Sequence, residues 1–137
     1  MGSINWLAVI LSANLGLAIG IVWYGPLFGG AALFGRITGE EGNAGRGPVP
    51  SMLGAILPQL LSALMLAHNF ARIGPEKLAM KPWLYWMQSG GIAVAFVIPA
   101  LWISYTRHRL PMREALVDAG FWLVTYLATG TVFWALA

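Results

Sequence analysis

The sequence contains no cysteine, which excludes disulfides, thiolate metal ligands and cysteine nucleophiles. Charged side chains are scarce as well: they make up 9% of the chain, whereas a soluble domain carries about 25%. The net charge of +3 comes from a few basic residues, which does not indicate nucleic-acid binding. The N-terminus lacks the basic segment of a signal peptide, and we expect none. These shortages leave little material for catalysis.

Long apolar runs take the place of the missing charges. Hydrophobic residues make up 58% of the 137 positions, and they fall into four runs at about 4–27, 51–71, 83–105 and 112–136. Each run is long enough for a helix that spans the hydrocarbon core of a bilayer. The sequence therefore predicts an all-α integral membrane protein: a four-helix bundle of one domain, residues 1–137, with both termini on one side.

Aromatic residues mark the predicted span ends. Trp6 and Trp23 are separated by about 25 Å along a helix, and Trp83 and Trp102 by about 28 Å, which fits the distance between two membrane interfaces. Gly25 and Pro26 follow at the end of the first span, where proline crowds a preceding carbonyl. We interpret this stretch as an interface and kink motif that consists of Trp23, Tyr24, Gly25 and Pro26.

Small residues recur at every fourth position of the first span. This row, which includes one GxxxG pattern, lets another helix approach closely. Packing inside the bundle and a dedicated homodimer face both remain open for it. The helix-packing residues are Ala8, Ser12, Gly16 and Gly20.

The segment between the first two spans, residues 31–50, is rich in glycine and is predicted to be a mobile loop. Its glycines match no phosphate-binding fingerprint, because no Lys-Ser/Thr pair follows them. The two histidines, His68 and His108, fall on opposite sides of the predicted bundle and cannot share a metal. We therefore expect no metal and no cofactor.

Three polar residues inside the spans are candidates for a site. Gln59 lies beside Pro58 and can bond the backbone carbonyl that the proline frees, or it can line a polar cavity, to which Gln88 would also contribute. Asp118 is the carboxylate that lies deepest, and intramembrane carboxylates often mark proton or ligand sites. The alternative for Asp118 is a pairing near the headgroups with Arg107, Arg109 or Arg113, or a role as the cap of a neighbouring helix.

Two stretches are similar to a known family. The first contains Asn5 to Val9 and, further on, Trp23-Tyr24-Gly25-Pro26-Leu27-Phe28-Gly29; the second contains Leu116-Val117-Asp118-Ala119-Gly120 and Gly130. Together they resemble the bacterial family known only as domain of unknown function 1761. The resemblance implies a small four-span membrane protein and implies no activity.

The expected function follows from many packing features and little chemistry. We expect a small non-enzymatic accessory or structural subunit that packs, within the lipid bilayer, against other membrane subunits or against itself. The alternative is a small transporter or ligand-binding protein with a polar cavity around Gln59, Gln88 and Asp118. No paired catalytic carboxylates or Ser-His-Asp set is visible, so an enzyme is not expected.

The distribution of basic residues predicts the orientation in the bacterial inner membrane. Cytoplasmic loops carry an excess of lysine and arginine. The first and third loops contain Arg36, Arg46, Arg107, Arg109 and Arg113, whereas the middle loop contains Arg72, Lys77 and Lys81. This bias predicts that both termini lie outside the cytoplasm.

Overall fold

The computed structural model describes residues 2–28 and 48–137. The helices in these ranges are α1 (Trp6–Leu27), α2 (Pro48–Ile73), α3 (Pro75–Met80), α4 (Leu84–His108) and α5 (Met112–Ala135). Residues 31–47 of the predicted loop lie outside the described residues. The last three residues of the predicted loop, 48–50, belong to α2, which begins at Pro48. Proline fits the first turn of a helix, because the N–H that it lacks has no partner within the helix there.

Four of these helices are long and apolar enough to cross a membrane, namely α1, α2 from Gly54 onward, α4 and α5. The described residues form helices joined by short turns, and α3 has only six residues. The prediction of an all-α four-span membrane fold is confirmed. The helix ends differ from the predicted spans by a few residues, as expected for boundaries inferred from composition.

Hydrogen bonds to backbone carbonyls connect the helices at the end of the bundle where the two termini lie. Asn5 caps α1 by accepting a 3.0 Å hydrogen bond from the amide of Ala8, and its own side-chain amide donates to the carbonyl of Leu136 at 3.0 Å. The amide of Gly2 donates to the carbonyl of Ala71 in α2. Both ends of the chain therefore lie at the same end of the bundle, as the predicted topology requires.

The bundle is arranged in the order α2, α1, α5, α4. Helix α1 packs between α2 and α5, and α5 packs between α1 and α4. Aromatic side chains pack at the end of the bundle that carries the termini. The ring centroid of Phe70 lies 4.9 Å from that of Tyr85 and 5.2 Å from that of Phe133. Because α4 packs mainly on α5, much of its surface remains exposed, including Phe96 and Ile103.

Small residues set the close contact between α4 and α5. Ser89 donates a 2.8 Å hydrogen bond to the carbonyl of Tyr85 on α4, and Gly130 of α5 lies directly against both residues. A Cβ at Gly130 would lie 2.9 Å from the carbonyl oxygen of Tyr85. Gly90 faces α5 in the same way, against Leu127. Glycine is required here because the backbones approach closely.

Two spans contain a π-helical turn where a proline disturbs the α-helix. In α1 the turn covers Trp23–Leu27 and contains Pro26, and in α4 it covers Ala93–Val97, just before Pro99. A wider turn relieves the clash of a proline ring with the carbonyl four residues earlier. Helix α1 then ends at Leu27, at the position where the sequence predicts a bend or stop.

Candidate functional site

Asp118 is held by tyrosines from two other helices. It lies about 9 Å along α5 from Met112, at the end of the bundle opposite the termini. The hydroxyl of Tyr24 in α1 donates a 2.6 Å hydrogen bond to Oδ1 of Asp118, and the hydroxyl of Tyr105 in α4 donates to Oδ2. One carboxylate therefore links α1, α4 and α5.

The arginine partners expected for Asp118 are not those observed in the described part of the chain. Arg107, Arg109 and Arg113 are all exposed, and the hydrogen bonds to the carboxylate come from Tyr24 and Tyr105. Long basic side chains near a span end extend toward water, whereas a tyrosine reaches across the bundle with a polar tip. The pairing with arginine is replaced by two neutral donors.

The kink motif of α1 docks onto the start of α5. The indole N–H of Trp23 donates a 3.0 Å hydrogen bond to the carbonyl of Val117, and the indole ring lies over Gly120, where a Cβ would come within 2.9 Å. The ring of Tyr24 lies 5.1 Å from that of Phe121. The side chains predicted to mark a membrane interface are thus also part of a contact between helices.

A cavity of about 110 Å³ opens beside the Asp118 carboxylate. It combines aromatic rings with charges of both signs in a small space near the predicted membrane boundary. Its walls are formed by Tyr24, Phe28, Tyr105, Arg113, Glu114, Val117 and Asp118. The hydroxyls of Tyr24 and Tyr105 meet the Asp118 carboxylate there, and a guanidinium and a second carboxylate line the same cavity.

The contact between the kink motif and the start of α5 joins the two stretches that carry the family resemblance. The family model described as Protein of unknown function (DUF1761) matches residues 7–134. The chain belongs to this family. The resemblance is thereby confirmed, and the DUF1761 match covers all of α2, α3 and α4 and nearly all of α1 and α5. No curated protein and no solved structure matches the chain.

A second polar region of this DUF1761 protein lies in the middle of the bundle. Gln59 of α2 is 6% exposed and contacts Gly16 of α1, where a Cβ would lie 2.7 Å from Oε1. Ser62 of α2 accepts a 3.3 Å hydrogen bond from the hydroxyl of Tyr126. Within the described residues, the hydroxyls of Ser12 and Thr125 are buried without a hydrogen-bond partner.

The three residues of the predicted polar cavity do not come together. Gly16, which contacts Gln59, precedes Tyr24, which contacts Asp118, by about 12 Å along α1. Gln88 is half-buried on α4, and the cavity beside Asp118 is lined by neither glutamine. The prediction of one cavity shared by Gln59, Gln88 and Asp118 is replaced by a site around Asp118 alone, because the polar positions lie at different depths.

The row of small residues on α1 faces the interior of the bundle. Ala8, Ser12 and Gly16 are buried, and Gly20 lies against the ring of Phe121, which a Cβ at this position would approach to 3.5 Å. Since this face is occupied by α2 and α5, it is not available to a second copy. Any contact between copies through α1 has to use another face.

The opposite side of α1 carries a polar residue that the sequence reasoning missed. We define the outer face of α1 by five exposed residues: Leu7, Leu11, Asn14, Ala18 and Ile21. They alternate by four and three positions, which places them in one stripe along the helix. Asn14 lies about 12 Å from Trp6, in the middle of the span. Its signal in the sequence was a lone carboxamide in an otherwise apolar stripe.

Proposed function

We propose that this protein is a non-enzymatic accessory or structural membrane subunit that acts by assembly, pairing with a second copy through the outer face of α1. The observation that carries the proposal is the exposure of Asn14 in the middle of a membrane-spanning helix. A carboxamide in hydrocarbon is costly without hydrogen-bond partners, and such residues favour association of membrane helices.

The hydrogen bonding of Asn14 leaves polar capacity directed outward. One N–H donates to the carbonyl of Ile10 at 2.8 Å. A carboxamide has a second N–H and a carbonyl oxygen, and in the described part of the chain neither has a partner. A carboxamide is self-complementary, so a copy related by a two-fold axis would satisfy both groups with its own Asn14.

The side chains around Asn14 fit the same partner. The spacing of the outer face is that of positions a and d in a coiled coil, and a single asparagine at such a position sets register and oligomeric state. The exposed surfaces of α2 and α4 carry apolar residues such as Leu61 and Phe96, which lipid chains can solvate without a protein partner. We therefore place the contact with a second copy on the outer face of α1.

A second candidate function is ligand binding at Asp118. The cavity of about 110 Å³ beside its carboxylate supports this alternative. Its size excludes a drug-sized molecule, whose sites measure about 300 Å³ or more.

We further propose the bacterial inner membrane as the location, with both termini outside the cytoplasm. The support is the excess of arginine in the first and third loops. A C-terminal alkaline phosphatase fusion should be active in cells, and a C-terminal green fluorescent protein fusion should be dark. The reverse pattern would invert the orientation.

Single-cysteine cross-linking tests the pairing, because the chain has no cysteine of its own. Disulfides require Cα atoms within about 7 Å, so only residues at a tight interface can form them. Oxidation of membranes that contain Leu11→Cys or Ala18→Cys should convert most of the protein into a species of twice its mass. Leu61→Cys, on the exposed surface of α2, is the matched control and should remain monomeric.

Two outcomes would contradict the pairing. The first is a failure of both outer-face cysteines to cross-link, or equal cross-linking of Leu61→Cys. The second is a cross-linked product whose mass identifies a different polypeptide, which would make that polypeptide the partner instead of a second copy.

A further inference from the structure

We propose that the cavity beside Asp118 binds the phosphoethanolamine headgroup of a membrane phospholipid, with the ammonium group at Asp118 and the phosphate at Arg113. This inference names the ligand of the second candidate function and rests on it. It does not depend on the pairing of two copies, since the cavity and the outer face of α1 involve different residues.

The hydrogen bonds of Asp118 define what the ligand has to supply. A carboxylate offers about four acceptor positions, and the hydroxyls of Tyr24 and Tyr105 use one on each oxygen. The remaining positions can accept further N–H donors. The two tyrosines are neutral, and within the described residues Asp118 forms no ion pair. Its carboxylate is therefore hydrogen-bonded, but no positive charge there balances its negative charge. A cation that donates hydrogen bonds meets both requirements.

The walls of the cavity favour a small organic ammonium over a bare metal ion. Tyr24, Phe28 and Tyr105 contribute aromatic rings, whose faces attract ammonium groups. The volume of about 110 Å³ corresponds to roughly four water molecules in the liquid. This is enough for an ammonium group and the two-carbon chain that carries it.

The position of the cavity indicates what the rest of the ligand is. Arg113 is exposed and lines the same cavity, so it offers a guanidinium to an anion beside the ammonium. Guanidinium groups bind phosphate with paired hydrogen bonds. The cavity lies at the end of α1 and α4 and within the first two turns of α5, which is where phospholipid headgroups meet a membrane protein. An aminoethyl phosphate attached to two acyl chains places its ammonium group on the side of the Asp118 and Glu114 carboxylates and its phosphate at Arg113.

The proposal predicts a preference among headgroups that differ in their hydrogen-bond donors. A primary ammonium has three N–H donors for Asp118, whereas the trimethylammonium of phosphocholine has none. Phosphatidylglycerol retains the phosphate and lacks the cation. The site should therefore retain dioleoyl phosphatidylethanolamine about tenfold more tightly than the choline or glycerol lipid with the same chains.

Native mass spectrometry of the full chain in detergent tests this preference, with the three dioleoyl lipids added separately. Arg113→Gln and Asp118→Asn should each reduce retention of the ethanolamine lipid to the level of the choline lipid. Arg109→Gln is the matched control, because Arg109 is exposed at the same end of the bundle and does not line the cavity. It should leave the preference unchanged. If Asp118→Asn does not fold, the exposed Arg113→Gln still decides.

The other outcomes separate the ligand class from ligand binding itself. Equal retention of the ethanolamine and glycerol lipids, both lost in Arg113→Gln, would show a phosphate site and overturn the ammonium assignment while leaving ligand binding intact. Tight binding of soluble O-phosphoethanolamine in lipid-free detergent would overturn the assignment to a lipid. Retention of all three lipids that neither Asp118→Asn nor Arg113→Gln alters would overturn both the inference and the second candidate function.

Discussion

Gly130→Leu should destabilise the bundle by about 3 kcal/mol or more, at the upper end of the costs measured for overpacked cores. The physical reason is that the added Cβ meets backbone. It would lie 2.9 Å from the carbonyl oxygen of Tyr85, and it would collide with the hydroxyl of Ser89 as well. A flexible side chain can rotate away from such a contact, whereas the carbonyl of Tyr85 moves only if α4 moves with it. Helix α4 packs mainly on α5, so the variant should loosen α4 from the bundle.

Thermal unfolding in detergent, followed by the fluorescence of the seven tryptophans, measures this effect. Gly91→Leu is the matched control: it lies on α4 next to the packed Gly90, and a Cβ there meets no atom within 4 Å. Its unfolding temperature should equal that of the parent or exceed it, because glycine is a poor helix former. Equal unfolding temperatures for Gly130→Leu and the parent would contradict the close approach of α4 and α5.

The helical spans could be predicted because their causes are local. Apolar runs of membrane length, aromatic residues at their ends and Pro26 are all visible in the sequence, and the structure places a helix at each run. The start of α2 was predicted three residues too late, at residue 51, whereas the helix begins at Pro48. Composition alone does not separate a loop from the first turn of a helix.

The site around Asp118 could be predicted only in part. Asp118 could be predicted as a candidate because it is a single deep carboxylate in a sequence with few charges. Its partners were missed because Tyr24 lies 94 positions away in the chain, and tyrosines near span ends are ordinary membrane-interface residues. Gln59 and Gln88 were grouped with Asp118 by polarity, yet neither glutamine lines the cavity beside Asp118.

The two faces of α1 show the same limit. The small residues from Ala8 to Gly20 predicted a close contact without naming its partner, and the structure fills that side with α2 and α5. Asn14 stands in an apolar stripe that looks like an ordinary lipid-facing surface. Asn14 becomes a candidate contact residue only because its side chain is exposed, and this exposure is known only once the positions of the other helices are known.

Asn14→Leu should weaken the pairing of two copies about tenfold. Hydrogen bonds between polar side chains of membrane helices contribute about 1–2 kcal/mol in model peptides, and about 1.4 kcal/mol corresponds to a factor of ten in affinity. Leucine keeps the volume and the apolar contacts of the stripe, so the loss measures the carboxamide. Asn14→Gln retains the carboxamide and should keep most of the affinity. Met65→Leu, on the exposed surface of α2, should have no effect.

The pairing of copies along α1 is tested most directly by energy transfer in liposomes. Glu76→Cys lies in α3, away from the outer face, and provides a single site for donor and acceptor dyes. With Asn14 intact, transfer should persist as lipid dilutes the protein, well above the level of random proximity. In the Asn14→Leu background, the same loss of transfer should require about tenfold less dilution. Transfer no higher than random proximity with Asn14 intact, or identical dilution curves for the two proteins, would contradict the proposed assembly.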